Sequence, residues 1–528
     1  MYLRGIRPRY NAVQRFLDDP IARGLGSKTA IYFRDQQITY DELLSMVNRF
    51  GNALKAIGVE VEQRVLMVCY DSPEFVVSFL SAIKIGAIPI PVNTFMNVSD
   101  YEYFLNDSRA KTLIVERDLW EKMKEQRERY VYLKNVIVID NDGVYPDCHD
   151  FHELMTGQLD TLEYAWTSYD DPAFWLYTSG STGNPKGVVH LQHDMSYAFD
   201  HFAKQILQID ENDITYSVSK LFFAYGLGNA LYFPLGAGAS TVLVEERPTP
   251  QKVFETIELY RPTLFFGVPT LYNAMLDFIE RSDRAYDLSS VRLCVSAGEP
   301  LPAVTYERWK EMFGIDIVDG IGTTEALHIF ISTRPGDIRP GSTGKPVPGY
   351  KVKIVDAEGR ELPPGEVGDL MVSGDSIAAG YWNLHRETQA KFQGEWYLTG
   401  DKYYQDEDGY LWYCGRSDDM MKVGGIWVSP MEIEHALLKH PSVAEVAVVG
   451  KENEHRLVQP VAYVVLKSGI TPSDELKTEL QVFVRDMLAP YKYPRDVVFV
   501  SDLPKTATGK IQRFKLRQMV DASFQKEE

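Results

Sequence analysis

Short apolar runs recur along roughly the first 350 residues, and segments with helical periodicity fill most of the gaps between them. Runs at 64–70, 87–92, 112–116, 136–140, 174–178, 240–245, 263–267, 291–296 and 316–319 read as buried strands. Such alternation buries both faces of a sheet when the strands run parallel and the helices are the crossovers. An α/β architecture with largely parallel sheets is therefore predicted. Local signals agree. Thr39 followed three residues later by Glu42 is a capping box, and the helix it opens should stop near Ile57 at Gly58, a natural left-handed position. Ser72 before Pro73 predicts a second helix with proline at its first position. The most apolar window, 75–92, is interrupted by Ser78, Ser81 and Lys84. It reads as a buried helix and strand, not a membrane span.

The texture changes near residue 340. Runs at 351–355, 368–373 and 409–413 are separated by Gly, Pro and Asp turns, which predicts a small antiparallel or barrel-like β subdomain over about 340–417. It changes again after Asp418. Ser429-Pro430 predicts a capped helix, and strands at 445–449, 461–466 and 497–500 with a helix near 473–488 make an α+β unit. A chain of 528 residues exceeds what one hydrophobic core holds, roughly 250–300 residues. The expectation is a large N-terminal domain, 1–417, and a small C-terminal domain, 418–528.

The net charge is −19, which disfavours nucleic acid and anionic membrane as partners. The acidity is uneven. Residues 418–528 hold 15 Lys/Arg against 16 Asp/Glu, so the excess lies in 1–417. Within the tail, Lys492, Arg495, Lys505, Lys510, Arg513, Lys515 and Arg517 face Asp496 and Asp502 alone over 490–517. The overall charge thus says little about the field inside a cleft. The four cysteines, Cys69, Cys148, Cys294 and Cys414, form no C-x-x-C pair, and a reducing, cytoplasmic setting is expected. Cys148 to His152 carries metal-capable side chains but reads as an ordinary loop. The first residues lack the apolar core of a secretory signal.

The segment from Tyr177 to Gly187 reads Tyr-Thr-Ser-Gly-Ser-Thr-Gly-Asn-Pro-Lys-Gly and directly follows an apolar run. Gly180, Gly183 and Gly187 let backbone N–H groups approach an anion. Thr178, Ser179, Ser181 and Thr182 add hydroxyl donors, and Lys186 adds a positive charge. The spacing is not that of a Walker A loop, yet the composition is that of a phosphate cradle.

This loop resembles the signature of the adenylate-forming superfamily, which includes acyl-CoA synthetases, peptide-synthetase adenylation domains and firefly luciferase. Further segments resemble that superfamily in order along the whole chain. Ala297, Gly298, Glu299 and Pro300 stand where the family has its adenine-side loop. In Asp319-Gly320-Ile321-Gly322-Thr323-Thr324-Glu325, the resemblance implies that Thr324 contacts the α-phosphate and Glu325 holds Mg2+. Ile321 departs from the family, which often has an aromatic residue there to stack on adenine. Asp401 and Arg416 match the ribose-binding positions, Asp418 the hinge, and Lys510 the C-terminal catalytic lysine. The resemblance implies a mobile C-terminal domain that swings after adenylation, so that Gly424 and Gly425 replace Lys510 and line the tunnel for the CoA thiol. ATP, Mg2+ and coenzyme A are the implied cofactor and cosubstrates.

Chemistry agrees with these roles. A carboxylate is a poor acyl donor until attack on the α-phosphate makes it a mixed anhydride. Lys510, Thr324, Glu325-bound Mg2+ and Lys186 would offset the charge of two approaching anions. The run from Leu221 to Asn229 and the segment from Leu327 to Ile329 resemble aryl-CoA ligases of the benzoate type. That implies a flat pocket for a small aromatic carboxylate, lined by Phe223, Ala224, Tyr225, Gly226, Gly322, His328 and Ile329, with His328 near its polar end. Ligases for hydroxybenzoate, aminobenzoate or cyclohexanecarboxylate, and a free-standing adenylation domain loading a carrier protein, are the alternatives. A monomer or homodimer is expected.

Overall fold

The computed structural model describes residues 8–178, 184–417, 419–423, 426–452, 458–488, 492–505, 511–513 and 515–517, without the side chains of Lys422, Ile426 and Trp427. Five sites of sequence interest lie outside the described residues: the loop Ser179, Gly180, Ser181, Thr182 and Gly183; Asp418; Gly424; Gly425; and Lys510.

The expected parallel α/β architecture is present. One sheet orders the strands Ile88–Pro91, Arg64–Val68, Thr112–Glu116, Asn135–Ile139 and His149–Asp150, every pair parallel. A larger sheet runs Lys345–Pro346, Ile329–Ser332, Ile317–Gly322, Leu293–Ser296, Leu264–Gly267, Ile214–Ser217, Ser240–Leu243, Thr29–Phe33 and Gln36–Thr39. Its centre is parallel and its two ends are antiparallel. Central strands such as Leu264–Gly267 and Leu293–Ser296 are buried at every position, because helices cover both faces. The helix Pro73–Lys84 is buried along nearly its whole length, as the most apolar window required. No helix among the described residues is long and apolar enough to cross a membrane.

The capping predictions can be checked atom by atom. Thr39 accepts from the Glu42 N–H, Glu42 reaches back to the Thr39 N–H, and the helix Tyr40–Ala56 ends before Gly58 at φ +86°. Pro73 opens its helix as expected, but the Ser72 side chain makes no capping bond. The segment read as a loop at Cys148 to His152 is instead the strand His149–Asp150 and the helix Phe151–Met155. Asp150 caps that helix by accepting from the N–H groups of His152 and Glu153.

Of the two forms foreseen for residues 340–417, the antiparallel one is observed. Lys351–Val355, Gly368–Ser373, Trp396–Gln405 and Phe392–Gln393 pair in that order, and Leu411–Arg416 joins Trp396–Gln405 from the side. A three-stranded sheet of Gly380–Tyr381, Lys186–Leu191 and Pro172–Thr178 links this region to the strands on either side of the Ser/Thr/Gly-rich segment. Toward the C-terminus, Val443–Glu452, Val458–Leu466 and Asp496–Phe499 form a sheet under the helices Pro430–Leu438 and Asp474–Met487, with an apolar cluster of its own. Ser429 caps the first of these helices through the Met431 N–H.

Candidate active site

In open α/β sheets, ligands gather at the carboxyl ends of parallel strands. Here the strands ending at Ser217, Gly267, Ser296 and Gly322 lie side by side, and the sequence-predicted segments follow them. The loop at 218–223 follows the first, Ala297 to Pro300 the third, and Thr323 to Glu325 the fourth. Pro172–Thr178 and Lys186–Leu191 form an antiparallel hairpin in which Thr178 pairs with Lys186. The segment read as a strand leading into a loop is therefore flanked by two paired strands.

Thr324–Ala326 is a single 3-10 turn whose Thr323 hydroxyl accepts from the Ala326 N–H. The turn buries the Glu325 carboxyl, and Oε1 accepts from the Tyr381 hydroxyl at 2.7 Å. The Tyr397 hydroxyl stands 3.3 Å from that of Tyr381. The Lys186 ammonium sits over the Tyr381 ring, 5.2 Å from its centroid. Strand pairing explains the gathering, since Tyr381 is opposite Val188, two residues beyond Lys186.

Asp401 and Arg416 face one another across an antiparallel pair, Nη1 to Oδ1 at 3.1 Å. Lys391 joins them. Burial lowers its pKa and the Arg416 guanidinium lowers it further, while Glu325 and Asp401 pull the other way. Gly400, at φ +81°, passes close to both cations: a Cβ there would lie 3.1 Å from Arg416 Nη2 and 3.2 Å from Lys391 Nζ. Three cations, Lys186, Lys391 and Arg416, thus lie near the carboxylates Glu325 and Asp401. Sequence reading missed Lys391 and Tyr381, which no motif carries, and passed over Tyr397, four residues before Asp401.

In the loop expected on the adenine side, Gly298 has φ +89° and would meet nothing with a Cβ, so the position is open and glycine is set by its backbone. The Glu299 carboxylate accepts from the Thr270 hydroxyl at 2.6 Å. Asp319 is buried, its Oδ1 has no hydrogen-bond partner among the described residues, and burial pushes its pKa up to about 8. Gly320 is closed in by Ile329 and the Ile331 carbonyl, and Ile321 packs at the edge of the main core.

The predicted acid pocket comes together in part. Phe223 precedes the short helix Ala224–Leu227, and Phe223, Ala224 and Tyr225 are half-buried. Tyr225 donates toward the carbonyls of Gly267 and Val295, at 3.3 and 3.2 Å, and so bridges two strand ends. Phe222 belongs to the core. Gly226 leaves room for backbone, since a Cβ would lie 2.1 Å from the Lys220 carbonyl, and Gly322 does the same against the His328 carbonyl at 2.6 Å. Ile329 is buried.

His328 departs from expectation. It was placed near a polar end, but its ring is enclosed by Phe202, Tyr225, Tyr232 and Phe233, with centroids 4.5–6.5 Å away. Nε2 meets Asn229 Oδ1 at 3.1 Å, and burial pushes the pKa down to about 3, so the ring is neutral. Gly228 makes the room: a Cβ there would stand 2.4 Å from His328 Cδ2. Asn229 and Gly228 were within the quoted run but were not singled out.

Near the C-terminus, Arg513 Nη2 reaches both oxygens of Glu434 at 2.8 Å, and Arg517 reaches Asp419 at 2.7 Å. These pairs anchor the residues that follow Lys510 in sequence.

Comparison with known proteins follows the same layout. The family of AMP-binding enzymes matches residues 20–382, and the AMP-binding enzyme C-terminal domain matches 432–510. The sequence is 47% identical over 515 residues to a benzoate–CoA ligase of Thauera aromatica, covering 97% of this chain and 96% of that protein. It is 43% identical to a 4-hydroxybenzoate–CoA/benzoate–CoA ligase of Rhodopseudomonas palustris, covering 97% and 94%. A solved anthranilate CoA ligase in complex with anthranoyl-AMP superposes with a TM-score of 0.91 at 42% identity, covering 98% of this chain and 99% of that one. A benzoate CoA ligase from Burkholderia xenovorans gives 0.89 at 44%, covering 96% and 100%.

Proposed function

Because the chain belongs to the family of AMP-binding enzymes, we propose that it is an ATP-dependent aryl-CoA ligase, with benzoate the foremost acid. The observation that carries this reading is the charge arrangement around Glu325. Lys186, Lys391 and Arg416 lie near it and near Asp401.

In the first step a carboxylate oxygen of the acid attacks the α-phosphorus of ATP. The bond to the β-phosphate oxygen breaks, pyrophosphate leaves, and an acyl-adenylate remains. Both reactants are anions, so local positive charge lowers the barrier. Thr178, the 179–183 segment and Lys186 are assigned to the polyphosphate, and Thr324 to the α-phosphate. Asp401 is assigned to the ribose hydroxyls, with Arg416 orienting it. Ala297, Gly298, Glu299, Pro300, Asp319, Gly320 and Ile321 are assigned to the adenine side. Lys510 donates to the oxygens that gain charge.

The buried Glu325 carboxylate, held by a phenol, fits Mg2+, a hard cation bound through one or two carboxylates plus substrate phosphates. Bound with ATP, Mg2+ would neutralise phosphate charge. In the second step the CoA thiol attacks the acyl carbon, the thiol proton is lost, and AMP leaves. Residues 418–528, pivoting at Asp418, are assigned to the change between steps, and Gly424 and Gly425 to the thiol channel. A cytoplasmic location accords with the use of ATP and CoA.

The pocket favours a flat, apolar ring. Tyr225 is fixed by two carbonyls, and neutral His328 lies behind it among aromatic rings. Hydroxy- and aminobenzoates differ from benzoate by one small polar group and are the second reading, supported by the substrates named for similar enzymes. A competition assay over benzoate, hydroxy-, amino- and fluorobenzoates and cyclohexanecarboxylate, read as CoA thioester, tests the order. Cyclohexanecarboxylate outrunning every aryl acid would overturn it.

A further inference from the structure

His190 and Asp194 are fully buried and belong to no role assigned above. His190 lies in the strand Lys186–Leu191, and Asp194 opens the following helix. Asp194 Oδ2 meets His190 Nδ1 at 2.7 Å, while His190 Nε2 meets the Thr324 carbonyl oxygen at 2.8 Å. The Leu191 N–H also donates to Asp194 Oδ2, so that one oxygen ties the carboxyl both to His190 and to the backbone of the same strand. A backbone carbonyl can only accept, so His190 donates from Nε2 to Thr324 and faces Asp194 through Nδ1. Its face stacks on Phe174 at 5.1 Å. Polar side chains held without water are costly unless their hydrogen bonds are made, so this is an unusual place for a spectator.

The group it grips is strained. Leu327 closes the Thr324–Ala326 turn at φ 68°, ψ −42°, a conformation that side chains rarely adopt. Such a turn persists only where its surroundings over-determine it. Three consecutive carbonyls are tied from outside: Thr324 by His190, Glu325 by the Ala378 N–H at 2.8 Å, and Ala326 by the Ser376 hydroxyl at 2.8 Å. The first tie comes from the same hairpin as Lys186, so one strand sets both the cation and the turn.

We propose that His190, oriented by Asp194, is a positioning residue that holds the strained turn so that Thr324 and Glu325 face ATP. This rests on the adenylation reading above. It touches no reacting atom, and the thioester step does not depend on it.

The test compares His190→Ala, His190→Gln and Asp194→Asn in the full chain. ATP affinity is measured by calorimetry with Mg2+ and no acid. Pyrophosphate–ATP exchange and thioester formation from supplied benzoyl-adenylate follow. His190→Ala should weaken ATP binding and slow exchange about 10²-fold, the scale of a small misplacement. Asp194→Asn should do the same to a smaller degree. His190→Gln, whose amide can still donate to the Thr324 carbonyl, should recover most of both. Thioester formation from benzoyl-adenylate should stay at the wild-type rate in all three. The proposal is overturned if ATP affinity is unchanged in His190→Ala, if His190→Gln is no better than His190→Ala, or if the two half-reactions fall together. The calorimetric arm needs no acid, so it distinguishes failure of this proposal from failure of the aryl-acid reading.

Discussion

The Tyr381 hydroxyl donates to Oε1 of Glu325 across 2.7 Å, although the two residues are 56 positions apart in sequence. The same ring supports the Lys186 ammonium. One phenol thus orients a carboxylate and backs a cation.

Tyr381→Phe keeps the ring and removes that donor. A hydrogen bond to a charged group contributes about 1.5–3 kcal/mol, so exchange should fall roughly tenfold or more. The Mg2+ concentration for half-maximal rate should rise, and the melting temperature should change little. A titration of Mg2+ at saturating ATP checks it. An unchanged Mg2+ requirement would remove Tyr381 from the site.

Asp319 supplies a pH signature. Burial pushes its carboxyl up to about 8, far above an unfolded aspartate near ~4. A folded pKa above the unfolded one means stability that is complete below ~pH 4 and lost as pH rises through ~8. Asp319→Asn removes this dependence. Thermal melts from ~pH 6 to ~pH 9 should show the wild type losing ground to the variant as pH rises. Parallel curves would contradict the assignment.

Tyr225→Ala opens space between the strand ends at Gly267 and Val295. The order of preference among substituted benzoates should shift toward larger acids, while the KM for ATP stays near the wild-type value. The same acid panel checks it. An unchanged order would make Tyr225 a core residue.

Lys510→Ala should slow adenylation by about 10²–10³, the scale seen when one transition-state donor is removed. Thioester formation from supplied acyl-adenylate should suffer far less. Equal losses in both half-reactions would count against a change of domain orientation between steps.

The parallel strands were legible because burial on both faces forces continuous apolar runs, as at Leu264–Gly267 and Leu293–Ser296. Strands richer in polar residues were not. Gln36–Thr39 and Ile214–Ser217 are short and carry Thr, Gln or Ser. Lys186–Leu191 begins inside the Pro-Lys-Gly turn and was absorbed into a loop. Motifs delivered the residues that stand in a recognisable run, such as Glu325, Asp401 and Arg416. They did not deliver Tyr381, Lys391 or Asn229, whose roles come from strand pairing and packing across long stretches of chain. His328 was found but its surroundings were not, because four aromatic rings reach it from distant segments. His190 and Asp194 stand four apart just after the loop, yet no spacing rule tells that the ring reaches Thr324.

Exchange of labelled pyrophosphate into ATP, with and without benzoate, tests the central claim most directly, followed by addition of CoA. Exchange that requires an aryl acid, then conversion to a CoA thioester with AMP release, is the predicted result. No exchange with any aryl acid, or exchange without thioester on adding CoA, would contradict it.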